Sequence, residues 1–251
     1  MTSTSRKRRY PWRLAVITGA ASGIGRCFSE ALAADGCRLL LIDRNEIAQL
    51  EGYGSTGEQH TCDLIQTLRL DLTDADAPDR VMSYLDARGL NPDLLINNAG
   101  IAWMGLLTDM SVEEWNRMIS TNLSSAFYCC RAALPYMIHQ KAGRIINISS
   151  MWGTVGASCE VAYSAAKSGL NGLTRALAKE LAPSNIQVNA IACGVIDTVM
   201  NDLLDAEEKA ALAEEIPAGR FGTPEEVALL AWQLANAPAY LTGQILGMDG
   251  G

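Results

Sequence analysis

The chain has 251 residues, of which 49% are hydrophobic and 19% charged, with a formal net charge of -8. This length suits one large α/β domain, and the acidic balance argues against a nucleic-acid partner, because contact with phosphates needs a basic surface. The apolar runs are shorter than the ~20 residues that cross a bilayer, so we expect a cytoplasmic protein that does not enter a membrane.

The positions of the basic, cysteine and histidine residues argue against disulfides, metal sites and a histidine-based catalytic triad. Residues 5–9 read SRKRR, and we interpret residues 1–12 as a flexible basic N-terminal tail. Seven cysteines without C-x-x-C spacing are typical of reduced thiols in a cytosol. The two histidines are not paired at metal-site spacing, so we expect neither a metal site nor a histidine-based catalytic triad.

The first elements form the pattern of a dinucleotide-binding unit. An apolar run at residues 13–17 predicts a strand, TGAASGIG follows at residues 18–25, and apolar residues at helical spacing lead to a second strand over 38–42. That strand ends at Asp43, 24 residues after Gly19, close to the ~20 expected for such a unit. Glycines let a backbone approach a pyrophosphate at the helix N-terminus. The carboxylate of Asp43 could accept hydrogen bonds from an adenosine ribose and would repel a 2′-phosphate.

The middle of the chain continues the alternation of strands and helices. We predict an irregular connection over residues 44–67, a strand at 68–72, a helix at 76–88 and a strand beginning at Leu94. Ser111 and Glu114 have the spacing of a capping box, which opens a long helix that runs past Asn122 towards Met137. A fifth strand over residues 143–148 then leads to two serines.

The last third predicts a helix over 161–181, a strand at 186–191, a helical excursion within 197–219, a helix from Thr223 and a strand at 244–249. The fold class is therefore α/β, one doubly wound Rossmann-type domain over residues 13–251, with a mostly parallel sheet flanked by helices on both faces. Ligands of such sheets bind beyond the carboxyl ends of the strands. We expect the glycine turn, Asp43, Asp71, Asn98 and Ser150 to converge there.

Tyr163 and Lys167 stand four residues apart on the predicted helix, so the ammonium group can act on the phenol. Such a pair also recurs on solvated helix faces and carries little weight alone. It gains weight from TGAASGIG, NNAG at residues 97–100, Asn122, Ser150, LTGQ at 241–244 and DGG at 249–251. With these motifs in this order, the chain resembles the short-chain dehydrogenase/reductase family from about Arg13 to Gly251. Ser150 is chosen over Ser149 because the family serine precedes the tyrosine by 13 positions, as here.

The resemblance implies hydride transfer between a nicotinamide cofactor and a carbonyl or alcohol. Tyr163 would exchange the proton, Ser150 would bind the substrate oxygen, and Asn122 would hold a water that passes the proton on. Lys167 would lower the pKa of Tyr163 and hold the nicotinamide ribose. The expected cofactor contacts are Gly19, Ser22, Gly23, Ile24, Gly25, Asp43, Arg44, Asp71, Leu72, Asn98, Ala99, Gly100, Tyr163, Lys167, Gly194, Ile196 and Thr198.

Two features bear on the cofactor. Asp43 favours NAD(H), and Ser22 stands where NADP-dependent relatives often have a basic residue, but Arg44 leaves NADP(H) open. Relatives usually have Pro-Gly where this chain has Cys193-Gly194, which places a thiol near the nicotinamide pocket. The change is either tolerated or makes the site redox-sensitive, in which case alkylation would inhibit the enzyme.

Within the family the chain is most similar to bacterial 3-oxoacyl-[acyl-carrier-protein] reductases. The expected substrate pocket, a mixed apolar wall with one acid, comprises Ile101, Trp103, Met151, Trp152, Val155 and Glu160. A sugar or polyol, a steroid, another small alcohol and a modified protein lysine remain alternative substrates, and a non-catalytic redox sensor is the alternative of another class. The resemblance also implies a homotetramer, assembled through the helices around 111–139 and 161–181 and the last strand.

Overall fold

A computed structural model describes residues 14–50, 64–201 and 205–251. The predicted basic tail, residues 1–12, lies outside the described residues, as does most of the connection predicted over 44–67. Among the described helices, none is both long and apolar enough to cross a membrane.

Within the described residues, seven strands form one sheet in which every pairing is parallel. Their order across the sheet is β3-β2-β1-β4-β5-β6-β7, so the chain winds outward first to one side of β1 and then to the other. This confirms the predicted doubly wound α/β fold. The strands are β1 (Ala15–Thr18), β2 (Leu39–Asp43), β3 (Ile65–Arg69), β4 (Leu94–Asn97), β5 (Gly143–Ser150), β6 (Ile186–Cys193) and β7 (Ile245–Met248).

Helices cover both faces of the sheet, because alternate residues of each central strand point to opposite sides. One apolar core lies under α1 and α8, and the other lies under α2, α4 and α6. The helices are α1 (Gly23–Ala34), α2 (Ala77–Ala87), α3 (Val112–Ile119), α4 (Ser125–Gln140), α5 (Trp152–Val155), α6 (Val161–Leu181), α7 (Ala206–Glu215) and α8 (Pro224–Ala235).

The prediction for the third strand was wrong by three residues. The strand spans Ile65–Arg69 rather than 68–72, and its first residues fall in the stretch predicted to be irregular. It is an edge strand in which no residue is fully buried, so its sequence lacks an apolar run. Leu70 and Leu72 lie just after the strand and are buried. In the sequence, their alternating apolar pattern looks like that of a strand, which is why the prediction was shifted towards them.

The helix predicted from Ser111 to Met137 is interrupted. The capping box is present, because Ser111 Oγ accepts from the Glu114 amide at 3.1 Å and the Glu114 carboxylate accepts from the Ser111 amide at 2.8 Å. The chain then forms α3, a π-helical turn over Ser120–Ser124, and α4. Such turns inside α-helices frequently mark functional sites, and this one contains Asn122.

Candidate active site

A cavity of about 710 Å³ lies at the carboxyl ends of the strands. The glycine turn after β1, Asp43 at the end of β2, Asp71 beyond β3, Asn98 after β4 and Ser150 at the end of β5 all line it. These residues are far apart in sequence and meet because the strands are parallel and adjacent. The expected convergence is therefore present in the fold.

Hydrogen bonds lock the glycine turn onto the strand beside it. The Asn98 amide nitrogen Nδ2 donates to the carbonyls of Thr18 at 3.1 Å and Gly19 at 3.0 Å. Thr18 Oγ1 accepts from the backbone amides of Asn98 and Ala99, both at 3.0 Å. Gly19 has a φ of 64°, and a Cβ there would lie 2.8 Å from Asn98 Nδ2. The Asn98 side chain thus supports the turn, and Asn98 also lines the cavity, so its expected contact with a cofactor stays a prediction.

The start of α1 fits a phosphate group. Ser22 precedes the helix in extended conformation, but its side chain caps no amide, and the first turn carries no acidic residue. The first amides of a helix are free of intrahelical partners and attract anions, so the uncapped end can receive a pyrophosphate. Nearby, the Asp43 carboxylate accepts from the amides of Ala21 at 3.0 Å and Asn45 at 2.9 Å. Each oxygen retains a further lone pair for a ribose hydroxyl.

Most residues expected to bind the cofactor line the cavity, with one difference. Gly25 does not, because it lies beneath the turn, where a Cβ would collide with the Gly19 carbonyl oxygen. Its role is packing of α1 against the turn. The lining includes Gly19, Ser22, Gly23, Ile24, Asp43, Arg44, Asp71, Leu72, Asn98, Ala99, Gly100, Tyr163, Lys167, Gly194, Ile196 and Thr198.

Ser150, Tyr163 and Lys167 meet at the other end of the cavity. Ser150 Oγ accepts from the Trp152 amide at 3.1 Å, and Ser150 is near enough to Tyr163 to lower the pKa of the phenol. The Lys167 Nζ donates to the Ile148 carbonyl at 2.8 Å and lies 5.5 Å from the centre of the Tyr163 ring. A hydroxyl, a phenol and an ammonium group are thus held together on β5 and α6.

The pKa values at this end differ from the expectation. Burial raises the pKa of Tyr163 above its ordinary value, Ser150 opposes this, and the nearby Glu160 carboxylate adds to it. Burial also lowers the pKa of Lys167 to about 8. The expectation that Lys167 lowers the pKa of Tyr163 is therefore wrong for the protein by itself. Desolvation is the largest cause of both shifts, since both groups are buried.

Asn122 is buried behind the cavity wall and does not line it. Its side-chain nitrogen donates to the carbonyls of Ile101 at 3.0 Å and Met118 at 3.1 Å, and its oxygen accepts from the Ile101 amide at 3.2 Å. Both of its N–H groups are therefore engaged. The side chain joins the π-helical turn to the loop after β4, and the expected role of Asn122 in holding a water stays a prediction.

Cys193 lies at the end of β6 and is buried in the wall of the same cavity as Tyr163 and Lys167. Burial raises the pKa of its thiol to about 12, although Lys167 lowers it in part. A thiol that is buried and protonated is inert, because the thiolate is the reactive form. The structure therefore favours a tolerated replacement of the family's usual proline over a redox-sensitive site.

The substrate side of the cavity is mostly apolar. Ile101, Trp103, Met151, Trp152 and Glu160 line it as expected, but Val155 does not and is 71% exposed. Val155 closes the short helix α5 on its outer side, which the sequence alone does not reveal. Sequence reasoning also missed further apolar lining residues, among them Met104, Val199, Met200 and Leu212. The first three are exposed, so they lie at the mouth of the cavity, where it opens to solvent.

A second set of polar contacts, also missed, fixes α5 against α6. Ser149 Oγ donates to Asn171 Oδ1 at 2.7 Å, and Asn171 Nδ2 donates to the Gly153 carbonyl at 3.0 Å. Ser168 Oγ donates to the same carbonyl at 2.9 Å. These buried bonds place Trp152 at the cavity. Within the described part of the chain, no group of three or more His, Cys, Asp or Glu residues is arranged to hold a metal ion.

Comparisons with a family model, with curated proteins and with solved structures all match this chain to dehydrogenases or other oxidoreductases. The family model for short chain dehydrogenases matches residues 13–209. The chain is 40% identical to the uncharacterized oxidoreductase YmfI of Bacillus subtilis, over 95% of this chain and 98% of that protein. It is 37% identical to the 3-oxoacyl-[acyl-carrier-protein] reductase FabG of Escherichia coli, over 95% and 96%. Among solved structures, a candidate NAD(P)-dependent gluconate 5-dehydrogenase from Beutenbergia cavernae, with NADP bound at low occupancy, aligns with a TM-score of 0.86. Its identity is 34%, with 95% and 96% coverage.

Proposed function

We propose that residues of this cavity are catalytic, because the chain belongs to the short-chain dehydrogenase family. It is therefore an oxidoreductase of alcohols or carbonyl compounds. Tyr163 gives a proton to the carbonyl oxygen in reduction and takes it back in oxidation. Ser150 holds that oxygen by a hydrogen bond. A nicotinamide cofactor, when bound, supplies or accepts the hydride.

One observation carries this proposal. The cavity has a phosphate-compatible helix end and Asp43 at one side and Ser150, Tyr163 and Lys167 at the other. A binding protein without catalysis would need only the first set. Burying the charged Lys167 costs free energy, because the ammonium group loses its hydration. A position with a purely structural role would not require a charged residue there.

The test uses purified protein with NADH or NADPH and a panel of ketones, with absorbance of the reduced nicotinamide as the readout. Turnover of at least one ketone supports an enzyme. Cofactor binding by fluorescence without turnover of any carbonyl or alcohol would favour the redox sensor. Tyr163→Phe, which keeps the ring and removes the hydroxyl, serves as the matched inactive variant.

For the cofactor, we propose NAD(H) over NADP(H). The Asp43 carboxylate stands in the cavity with free acceptor positions and repels an additional phosphate, while Arg44 beside it would attract one. We give Asp43 the greater weight because two backbone amides fix its orientation. The ratio of kcat/KM for NADH over NADPH should exceed one, and Asp43→Ser should reduce it. A wild-type preference for NADPH would overturn this choice.

For the substrate, we propose a ketone of the 3-oxoacyl type. Support comes from the FabG relatives and from the apolar mouth, where Met104, Val199 and Met200 are 71%, 63% and 43% exposed. An apolar mouth suits an acyl chain better than the hydroxyl groups of a sugar acid such as gluconate. Competing both substrate types against one enzyme preparation decides between them.

We also propose a homotetramer. Val112, Phe127 and Val161 on α3, α4 and α6 are 69%, 46% and 41% exposed, which is compatible with contact between subunits. Light scattering coupled to size-exclusion chromatography measures the mass directly.

A further inference from the structure

Glu160 is a charged residue at the cavity whose chemistry the proposed reaction does not use. It immediately precedes α6, three residues before Tyr163, and it is half-buried with its side chain in the cavity lining. Its negative charge is close enough to Tyr163 to influence the titration of the phenol. A group bound to Ser150 and Tyr163 would therefore lie near this carboxylate.

The surroundings of Glu160 are aromatic and apolar. The Trp152 side chain partly opposes the rise in the pKa of the Glu160 carboxyl group, and Trp152, Trp103 and Met151 line the same cavity. The other charged residues in the described lining lie elsewhere: Asp43, Arg44 and Asp71 at the nucleotide end, and Lys167 beneath Tyr163. On the substrate side, Glu160 is thus the only charged group among the described lining residues.

A single carboxylate in an apolar wall discriminates by charge. It attracts a cation and repels an anion, and both effects are stronger there than in water, because less solvent screens them. Burial raises the pKa of Glu160, so a cation beside it offsets the unfavourable desolvation. Indole faces such as those of Trp152 and Trp103 also attract cations.

We propose that Glu160 determines substrate specificity, selecting carbonyl or alcohol substrates that carry a positively charged amine or ammonium group near the reacting carbon and rejecting those that carry a carboxylate there. The inference rests on the proposed oxidoreductase activity and not on the 3-oxoacyl ketone proposed above, which carries no charge beside the reacting carbon; the cationic ketone is a different substrate class. The cation lies between the Glu160 carboxylate and the indole rings while the carbonyl oxygen is held by Ser150 and Tyr163.

The experiment compares three ketones derived from levulinic acid: the choline ester, its uncharged carbon isostere in which the quaternary nitrogen is replaced by carbon, and levulinate itself. The first two differ only in charge. Each is assayed for kcat/KM with wild-type protein, with Glu160→Gln, which keeps the shape and removes the charge, and with Glu113→Gln. Glu113 is an exposed acid on α3 and controls for the change in net charge.

For wild type we expect kcat/KM to be about tenfold higher for the choline ester than for its isostere, as one close, partly screened charge pair provides. Glu160→Gln should reduce this ratio to near one and raise the relative activity on levulinate, whereas Glu113→Gln should keep the wild-type ratio. Equal ratios in wild type and Glu160→Gln would overturn the inference while the proposed function stands. Absence of turnover for all three ketones and the wider panel would instead overturn the proposed function.

Discussion

Replacing Lys167 with methionine should make the protein more stable and inactive. The ammonium group is 3% exposed and donates to the Ile148 carbonyl at 2.8 Å. Its pKa of about 8, against an ordinary 10.5, means that burying the charge disfavours folding by about 3 kcal/mol at pH values below 8. Loss of the hydrogen bond offsets about 1 kcal/mol. A net gain of about 2 kcal/mol should raise the Tm by about 4 °C for a chain of this length.

The sign of the pH dependence provides a second measurement. Below pH 8 lysine is charged in the folded and unfolded states, so the full unfavourable burial applies. Between pH 8 and 10.5 the unfolded state binds more protons, and stability rises with pH. Above both values the effect is gone. The difference in stability between Lys167→Met and wild type should therefore be largest at neutral pH and shrink as the pH approaches 10.

The assay is urea unfolding followed by circular dichroism without added nucleotide, at several pH values, with wild type measured in parallel so that other titrating groups cancel. Ketone reduction by the variant is measured on the same preparations. The reasoning is refuted if Lys167→Met is less stable than wild type at neutral pH, or if the difference does not change between pH 7 and 10.

Three further outcomes are expected. Tyr163→Phe should lower kcat by at least about a hundredfold, as loss of a general acid does, while the Kd for the cofactor by fluorescence titration changes little; retained turnover would remove Tyr163 from the mechanism. Gly153→Ala should destabilise the protein by about 2 kcal/mol in urea unfolding, because its Cβ would lie 2.7 Å from the Lys167 backbone carbon; wild-type stability would contradict the packing described for α5. Under iodoacetamide, the partly exposed Cys159 should be modified well before Cys193, as peptide mass spectrometry can show; early labelling of Cys193 would contradict its being buried and protonated.

The fold could be predicted where short-range patterns determine it. The first βαβ unit could be predicted because a buried parallel strand, a glycine turn and an amphipathic helix each have a recognisable local sequence pattern. The edge strand β3 was misplaced because a half-exposed strand shares its composition with a loop. The π-helical turn was missed because its cause is tertiary: Asn122 bonds to Ile101, which is distant in sequence.

The site was predictable in residue type and less so in physical state. The expected groups meet because parallel strands bring their ends together, which topology alone determines. The pKa values of Tyr163 and Lys167 depend on how much water the folded wall excludes, and the sequence does not contain that quantity directly. The hydrogen bonds that hold α5 were likewise unpredictable, since Ser149 and Asn171 read as ordinary core-facing residues.

The π-helical turn has a consequence for how this chain tolerates changes in length. A π turn accommodates one residue more than an α-helical turn, and each residue rotates a helix by about 100°. Deleting one residue within Ser120–Ser124 would let α3 and α4 join as one regular helix, which is locally the more favourable form. The same deletion would rotate α3 relative to α4 and separate Asn122 from Ile101. Single-residue deletions are therefore expected to be harmful here even though they improve the helix itself.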